Sequence, residues 1–333
     1  MIGREVTSMT KGKELDFTDI IDEITKANEI LIYTHILMDG DALGSSVALC
    51  EALRSLGKKA FVLIEDEVPE YLRFIEDSCC TFDHDIISEP DLSIAVDSTD
   101  IDRFFLRKNK FLQGKKKICI DHHHTSGYFA DINYVDEHSA STGELIFKLL
   151  KGLEVKFNQR IAEAIYVAIT TDTGNFQYTN TTAESHIIAA ELFSYGIDLE
   201  KIGVELYQNV RFEKLNLTAE ILKTTEKICD GKVAIATVTF DMLKNTNTTI
   251  DESEGIVEVL RSIRGVEIAI FIKEISENQS KVSMRAKSYG NVALICQKFG
   301  GGGHIKAAGC TIFESLTNAR KLIITEVENY FYV

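Results

Sequence analysis

Glu29-Ile30-Leu31-Ile32-Tyr33-Thr34-His35-Ile36-Leu37-Met38-Asp39-Gly40-Asp41 is the stretch that decides the fold. Its first six residues make an apolar run of the kind that forms a buried strand, and the run ends abruptly in a histidine and two aspartates. Val47, Leu49, Cys50 and Leu53 then fall at helical spacing, which predicts a helix over 42–55 stopped by Gly57. Ala60 to Ile64 reads as the next strand. Strand, helix and strand in that order form a βαβ unit, which points to a parallel sheet.

Working outward, strands are expected at 92–96 and 117–120, and helices at 142–151, 159–170 and 184–195, the last closed by Gly196. A connecting helix is read over 198–210. The pattern then restarts with strands at 232–239, 266–275 and 281–286, helices near 252–262 and 292–298, and a closing strand and helix. The expected fold class is α/β: an N-terminal, mostly parallel sheet with flanking helices, followed by a smaller C-terminal α/β domain. A length of 333 residues agrees with two domains at roughly 150 residues each.

Composition narrows the function classes. With 45% hydrophobic and 26% charged residues the chain reads as globular, and its longest apolar runs are too short for a bilayer span, so no membrane partner is expected. Residues 1–19 lack the apolar segment of a secretory signal, and a cytoplasmic location is expected. Seven scattered cysteines without a C-x-x-C pair argue against a disulfide framework or a zinc knuckle. A formal charge of −15 opposes long duplex DNA, which must be gripped through many phosphates. It is compatible with bound divalent cations, which oxygen ligands hold.

The chemistry lies where the apolar runs end. His35, Asp39 and Asp41 follow the first strand, Asp97 follows Val96, Asp121-His122-His123-His124 follows Ile120, and Asp172 closes the helix from Gln159. A lone aspartate after a strand is usually a helix cap or turn former. Three such segments after strands, with a fourth at a helix end, are different, because the carboxyl ends of parallel strands converge on one crevice. Mixed imidazole and carboxylate ligands there suit a two-metal site for phosphoryl-group hydrolysis. In the second half, Gly300 to Gly303 before His304 would let backbone N–H groups approach a phosphate, and Arg285 offers a bidentate fork. Ser139 to Glu144 reads as a helix N-cap.

The set His35-x-x-x-Asp39-x-Asp41, Asp97, Asp121-His122-His123 and Asp172 resembles the motifs of the DHH phosphoesterase superfamily. Ser283-Met284-Arg285, Asn291-Val292, Phe299 to His304 and Ala307-Ala308-Gly309 resemble the DHHA1 domain that follows it in one branch. The resemblance implies a catalytic domain over 1–195, a helical linker over 196–210 and a substrate-binding domain over 211–333. It implies two divalent cations per chain, manganese by family habit, with magnesium or cobalt compatible with the ligands. His35 and Asp39 would hold one metal and Asp41, His122 and Asp172 the other, with Asp97 bridging. His123 would be a general acid near the leaving oxygen and Asp121 would orient the histidines. Arg285, Gly302, Gly303 and His304 would bind substrate, with Arg103 near the phosphates. His124, outside the tripeptide, reads as a neighbour and not a ligand. Met38 stands where the family usually has proline.

Within the superfamily the two-domain size resembles the group that degrades short oligoribonucleotides (nanoRNA, including linear dinucleotides) and acts as a pAp phosphatase. A cyclic-dinucleotide phosphodiesterase and, more remotely, a polyphosphatase or a catalytically silent regulator stay open as alternatives. The partner expected is a short RNA or nucleotide, and a homodimer is compatible with the sequence.

Overall fold

The structure, a computed structural model, describes residues 16–332. The stretch read above for a signal segment lies largely outside them. Two compact units divide the chain, Met1–Asn209 and Val210–Val333.

The first unit is built on β1 (Glu29–Tyr33), β2 (Lys59–Leu63), β3 (Cys80–Thr81), β4 (Leu92–Val96), β5 (Lys116–Asp121) and β6 (Ile132–Val135). They form one sheet in the order β3-β2-β1-β4-β5-β6, and every pairing is parallel. A parallel sheet is covered on both faces, which is why its strands read as continuous apolar runs. Ile30, Ile32, Ile94 and Ile118 face one core, while Leu31, Tyr33, Ala95 and Cys119 face the other. The strand order reverses between β1 and β4, and ligands bind at the carboxyl ends of such switch points.

On one face the helix Gly40–Ser55 packs against the helix Gln159–Asp172 at close range. A Cβ on Gly44 would stand 2.4 Å from the carbonyl oxygen of Ala164, and one on Gly40 would stand 2.4 Å from Oγ1 of Thr171. Side chains there would force the helices apart, and with them Asp41 from Asp172.

Differences from the sequence reading follow from local physics. The helix expected over 198–210 is two pieces, Leu199–Gly203 and a π-turn at Val204–Gln208, and the chain then opens a separate helix at Phe212–Lys223. Tyr207 of the π-turn reaches Thr170 Oγ1 at 3.1 Å, so this stretch packs back on the first unit. β3 and the strand Gly302–His304, two and three residues long, are too short to show a period.

The second unit holds β7 (Glu226–Ile228), β8 (Val233–Val238), β9 (Ile268–Ser276), β10 (Gln279–Ala286), β11 (Gly302–His304) and β12 (Ala307–Ile312). Their order is β11-β12-β10-β9-β8-β7, with only β8 and β9 parallel. Val282, Met284, Ala308 and Cys310 face a core shared with the helices Val292–Gln297 and Leu316–Tyr332. By the period-two alternation, Ser283, Arg285, Ala307 and Gly309 share the opposite face with Gly302 and His304. Among the described residues, the apolar cluster on that face draws on β8 and β9 and takes nothing from β10, β11 or β12.

The loop leaving β10 is held by one carboxylate. Glu267, 5% exposed, accepts N–H bonds from Ser288 (2.8 Å), Tyr289 (2.7 Å) and Gly290 (2.7 Å) and the Ser288 hydroxyl (2.7 Å). Burial alone would raise this carboxyl's pKa, yet these bonds hold it below the ordinary glutamate value. A group depressed on folding stabilises fully above its unfolded pKa, and that contribution is lost as pH falls through the folded value. Glu267→Gln is therefore expected to cost about 2–4 kcal/mol at pH 7, with buried donors left poorly satisfied. The difference from wild type should shrink below about pH 4. Denaturant midpoints at pH 7 and pH 3.5 check both; a gap independent of pH would refute the charged role of Glu267.

Candidate functional site

The site grows from the carboxyl ends of β1, β4 and β5. Tyr33 ends β1, and the chain turns through His35 and Leu37 before Asp39 caps the helix Gly40–Ser55 by accepting from Ala42 N at 3.0 Å. That turn survives without the family's proline because it is tied elsewhere. Ile36 N donates to the Arg103 carbonyl (3.1 Å), Leu37 N donates to Asp66 Oδ2 (2.8 Å), and Met38 is buried in the core. Asp97 leaves β4 with a φ of 55°, a left-handed conformation that aspartate tolerates better than most residues.

Three overlapping groups of ligand atoms result, each within 4.8 Å: His35, Asp39 and Asp97; Asp41, His122 and Asp172; and Asp97, His122 and His123. Asp97 stands between the first two groups, with Oδ2 3.6 Å from His35 Nε2 and Oδ1 3.7 Å from His122 Nε2. The imidazoles are aimed from behind. His35 Nδ1 faces the Ile36 carbonyl at 2.7 Å and His122 Nδ1 faces the Ser139 carbonyl at 3.2 Å, so both Nε2 atoms point inward. His122 Nε2 is buried without a hydrogen-bond partner, at 3.7 Å from Asp41 Oδ2 and 3.5 Å from Asp172 Oδ2. His123 is oriented by Asp121, whose Oδ1 lies 2.8 Å from Nδ1. His124 is exposed and pairs with Glu137 at 3.1 Å, outside the cluster.

Sequence reasoning missed who holds the carboxylates. Asp41 accepts from the backbone N–H of Thr142 (2.7 Å) and Gly143 (2.9 Å) and from the Ser45 hydroxyl (3.0 Å), while Thr142 Oγ1 donates to Asp97 (2.9 Å). Ser141 is the N-cap of that helix, as its sequence suggests, with its side chain accepting from Glu144 N. The free amides of the first turn then serve Asp41, a use of a helix N-terminus that favours negative charge.

The electrostatics fit a divalent cation. Burial first, and the crowding of Asp97, Asp172 and Asp39 next, push Asp41 well above the usual carboxylate range. Burial and the charges of Asp97 and Asp39 likewise raise Asp172 to about 7. Asp97 is also penalised by burial, but His35, His123 and His122 surround it and hold it at about 2. Burial lowers His123, yet the Asp121 hydrogen bond and the Asp97 charge carry it up to about 9. Carboxylates crowded enough to resist ionisation, around an imidazole nitrogen with no partner, form a donor set that a dication satisfies.

In the second unit, Arg285, Gly302 and His304 lie on one face. Arg285 is fixed through Nε to Glu258 Oε1 (3.0 Å) and through Nη1 to the Met284 carbonyl (3.1 Å). The glycines differ in meaning. A Cβ on Gly303, at φ 136°, would stand 2.5 Å from the Ala307 carbonyl oxygen, so its lack of a side chain is a packing need. A Cβ on Gly302 would meet open space. Arg103 is half-buried beside the β1 turn, and among the described residues its guanidinium makes no ion pair that would compete for an anion.

Both units have relatives among known proteins. Residues 29–169 match the DHH family, N-terminal domain, and residues 230–331 match the DHHA1 domain. The bifunctional oligoribonuclease and PAP phosphatase NrnA of Thermus thermophilus is 32% identical over 88% of this chain and 87% of its own. The protein of the same name from Bacillus subtilis is 28% identical over 89% and 93%. A solved structure of an exopolyphosphatase-related protein from Bacteroides fragilis superposes with a TM-score of 0.89, at 27% identity, over 97% of this chain and 98% of its own.

The two histidines of the site are expected to separate in function. His122→Ala should lose bound Mn²⁺, since its Nε2 has only the carboxylates to face. His123→Ala should keep most of the metal and lose turnover, since its Nδ1 is already taken by Asp121. Metal content by mass spectrometry beside turnover checks this, and equal metal loss in both variants would refute it.

Proposed function

This chain belongs to the DHH family, and from that premise we propose that it is a metal-dependent phosphoesterase that hydrolyses short oligoribonucleotides to mononucleotides and pAp to AMP. The observation that carries the reading is the partnerless Nε2 of His122 among the carboxylates of Asp41, Asp97 and Asp172. A likeness in length and sequence to proteins named oligoribonuclease and PAP phosphatase supplies the substrate class.

In this reading His35 and Asp39 hold one cation, Asp41, His122 and Asp172 hold the other, and Asp97 serves both. Manganese is the ion assigned, and magnesium and cobalt suit the same donors. Two cations held there would supply activation of water at neutral pH and neutralisation of the phosphoryl oxygens. The protein's own groups do the rest. Asp121 fixes the His123 ring through Nδ1, which leaves Nε2 to donate a proton to the departing oxygen. Thr142 and the first-turn amides keep Asp97 and Asp41 in place while charge redistributes. Arg103, without an ion-pair partner among the described residues, meets the substrate phosphates. The first unit carries the chemistry, and the second, with Arg285, Gly302, Gly303 and His304, grips a nucleotide.

Asp97→Ala is expected to lower turnover at least about a hundredfold, the scale of losing a metal or its supporting ligand. Near-normal turnover in that variant would sink the two-metal assignment. A panel of a 5′-phosphorylated RNA dinucleotide, longer RNA, pAp, cyclic di-AMP and polyphosphate, each with Mn²⁺, tests the substrate. The dinucleotide and pAp should lead; polyphosphate or cyclic di-AMP in the lead would replace the reading. Arg285→Ala should depress kcat/KM on the dinucleotide more than on a small phosphodiester lacking the second nucleotide, because remote binding energy is used in the transition state. Equal loss on both would remove Arg285 from substrate binding.

A further inference from the structure

We propose that Tyr289 is the surface on which a substrate nucleobase stacks in the second unit. The inference takes its ligand from the oligoribonuclease reading and its geometry from the second unit alone.

The loop Ser288 to Gly290 leaves β10 three residues after Arg285, and it is gripped from two sides. The nearly buried carboxylate of Glu267 takes the N–H groups of Ser288, Tyr289 and Gly290 and the Ser288 hydroxyl. The Lys306 ammonium takes the Ser288 carbonyl and, at 3.0 Å, the Gly290 carbonyl. Ala286 N donates to the Lys306 carbonyl and Val292 N to the Ile305 carbonyl, both at 2.9 Å, which seats the loop against the turn that carries His304. A buried glutamate and a lysine are thus committed to the shape of three residues.

What that shape presents is a ring. Tyr289 is 63% exposed, and among the described residues its ring stacks on no other and its hydroxyl has no hydrogen-bond partner. A core role does not account for it. An aromatic ring on a mobile loop loses entropy when it stacks, whereas one on a fixed loop has already lost it. Stacking tolerates any base because every base has a π-face, a property suited to degrading RNA of mixed sequence. Arg285 and His304 lie at the end of the sheet from which this loop leaves, and they bring phosphate-binding chemistry to the same region. The occupant indicated is the base of a nucleotide whose phosphate meets those two residues.

The test compares wild type, Tyr289→Ala, Tyr289→Phe and the control Phe313→Ala, whose exposed ring lies past the other end of β12. Hydrolysis of a 5′-phosphorylated RNA dinucleotide is measured with Mn²⁺ beside two analogues, each lacking one base. Tyr289→Ala is expected to lose about tenfold or more in kcat/KM on the intact dinucleotide and on one analogue, and much less on the other. Tyr289→Phe should restore the difference, and Phe313→Ala should follow wild type. No loss, or equal loss on all three substrates, overturns the proposal. AMP binding to metal-free protein by equilibrium dialysis is the second readout. Tyr289→Ala should raise Kd about tenfold, and wild-type affinity would overturn the proposal whatever hydrolysis shows. A wild type that binds AMP through Tyr289 but leaves the dinucleotide intact would sink the nuclease reading and leave the stacking role standing.

Discussion

Mutual repulsion of buried carboxylates is the constraint on which the first unit depends. Asp41 and Asp97 are almost wholly buried, with Asp172 and Asp39 close by. Like charges at such range in a low dielectric oppose one another and oppose folding. The fold answers with fixed dipoles and hydrogen bonds. The amides of Thr142 and Gly143 and the hydroxyls of Ser45 and Thr142 meet Asp41 and Asp97. Three imidazoles surround Asp97. These donors leave Asp41 and Asp172 raised, so part of the repulsion is left for a cation to remove. A binding site for dications is, in this sense, a folding problem solved incompletely.

The architecture around the cluster follows from the same need. Parallel strands deliver their final residues to one edge, and the order reversal at β1 and β4 opens that edge where His35, Asp39 and Asp97 emerge. Asp172 comes from a helix end, and it reaches the cluster because Gly40 and Gly44 let the helix Gln159–Asp172 approach the helix Gly40–Ser55. The second unit uses the opposite device. It gathers small residues on an open sheet face, where Ser283, Ala307, Gly309 and Gly302 leave room around Arg285 and His304. One unit concentrates buried negative charge and the other gathers small residues around a cation.

Much of this was legible because each motif is local. A strand run and the aspartate or histidine that ends it are neighbours in sequence, so His35, Asp39, Asp41, Asp97, Asp121, His122 and His123 could be found without coordinates. The contacts that were not legible are long-range. Ser141 could be read as a cap, but nothing in the sequence around Thr142 shows that its amide serves Asp41, 101 positions earlier. Glu267 looks like an ordinary strand-edge charge until its bonds to residues 21 to 23 positions away are seen. The glycine run was legible only as a unit. Packing against β12 separates Gly303, which has no room for a side chain, from Gly302, which has room to spare.

Backbone strain marks where these demands meet. Leu37 and Asp97 both adopt positive φ, and they lie on the two segments that bring His35, Asp39 and Asp97 together. For leucine this conformation is unfavourable by roughly 1–2 kcal/mol, and the Leu37 N–H is tied to Asp66 there. Asp66 and Glu65, which accepts from Leu106 N and approaches Arg107 at 3.5 Å, belong to the segment that follows β2. An acidic turn outside the ligand set therefore ties the β1 segment at Leu37 and the segment after β4 at Leu106 and Arg107. The net charge of −15 is then more than a sum over a solvated surface. Part of it sits in the cluster awaiting cations, and part of it, as Glu65, Asp66 and Glu267 show, is used to fix backbone that carries functional side chains.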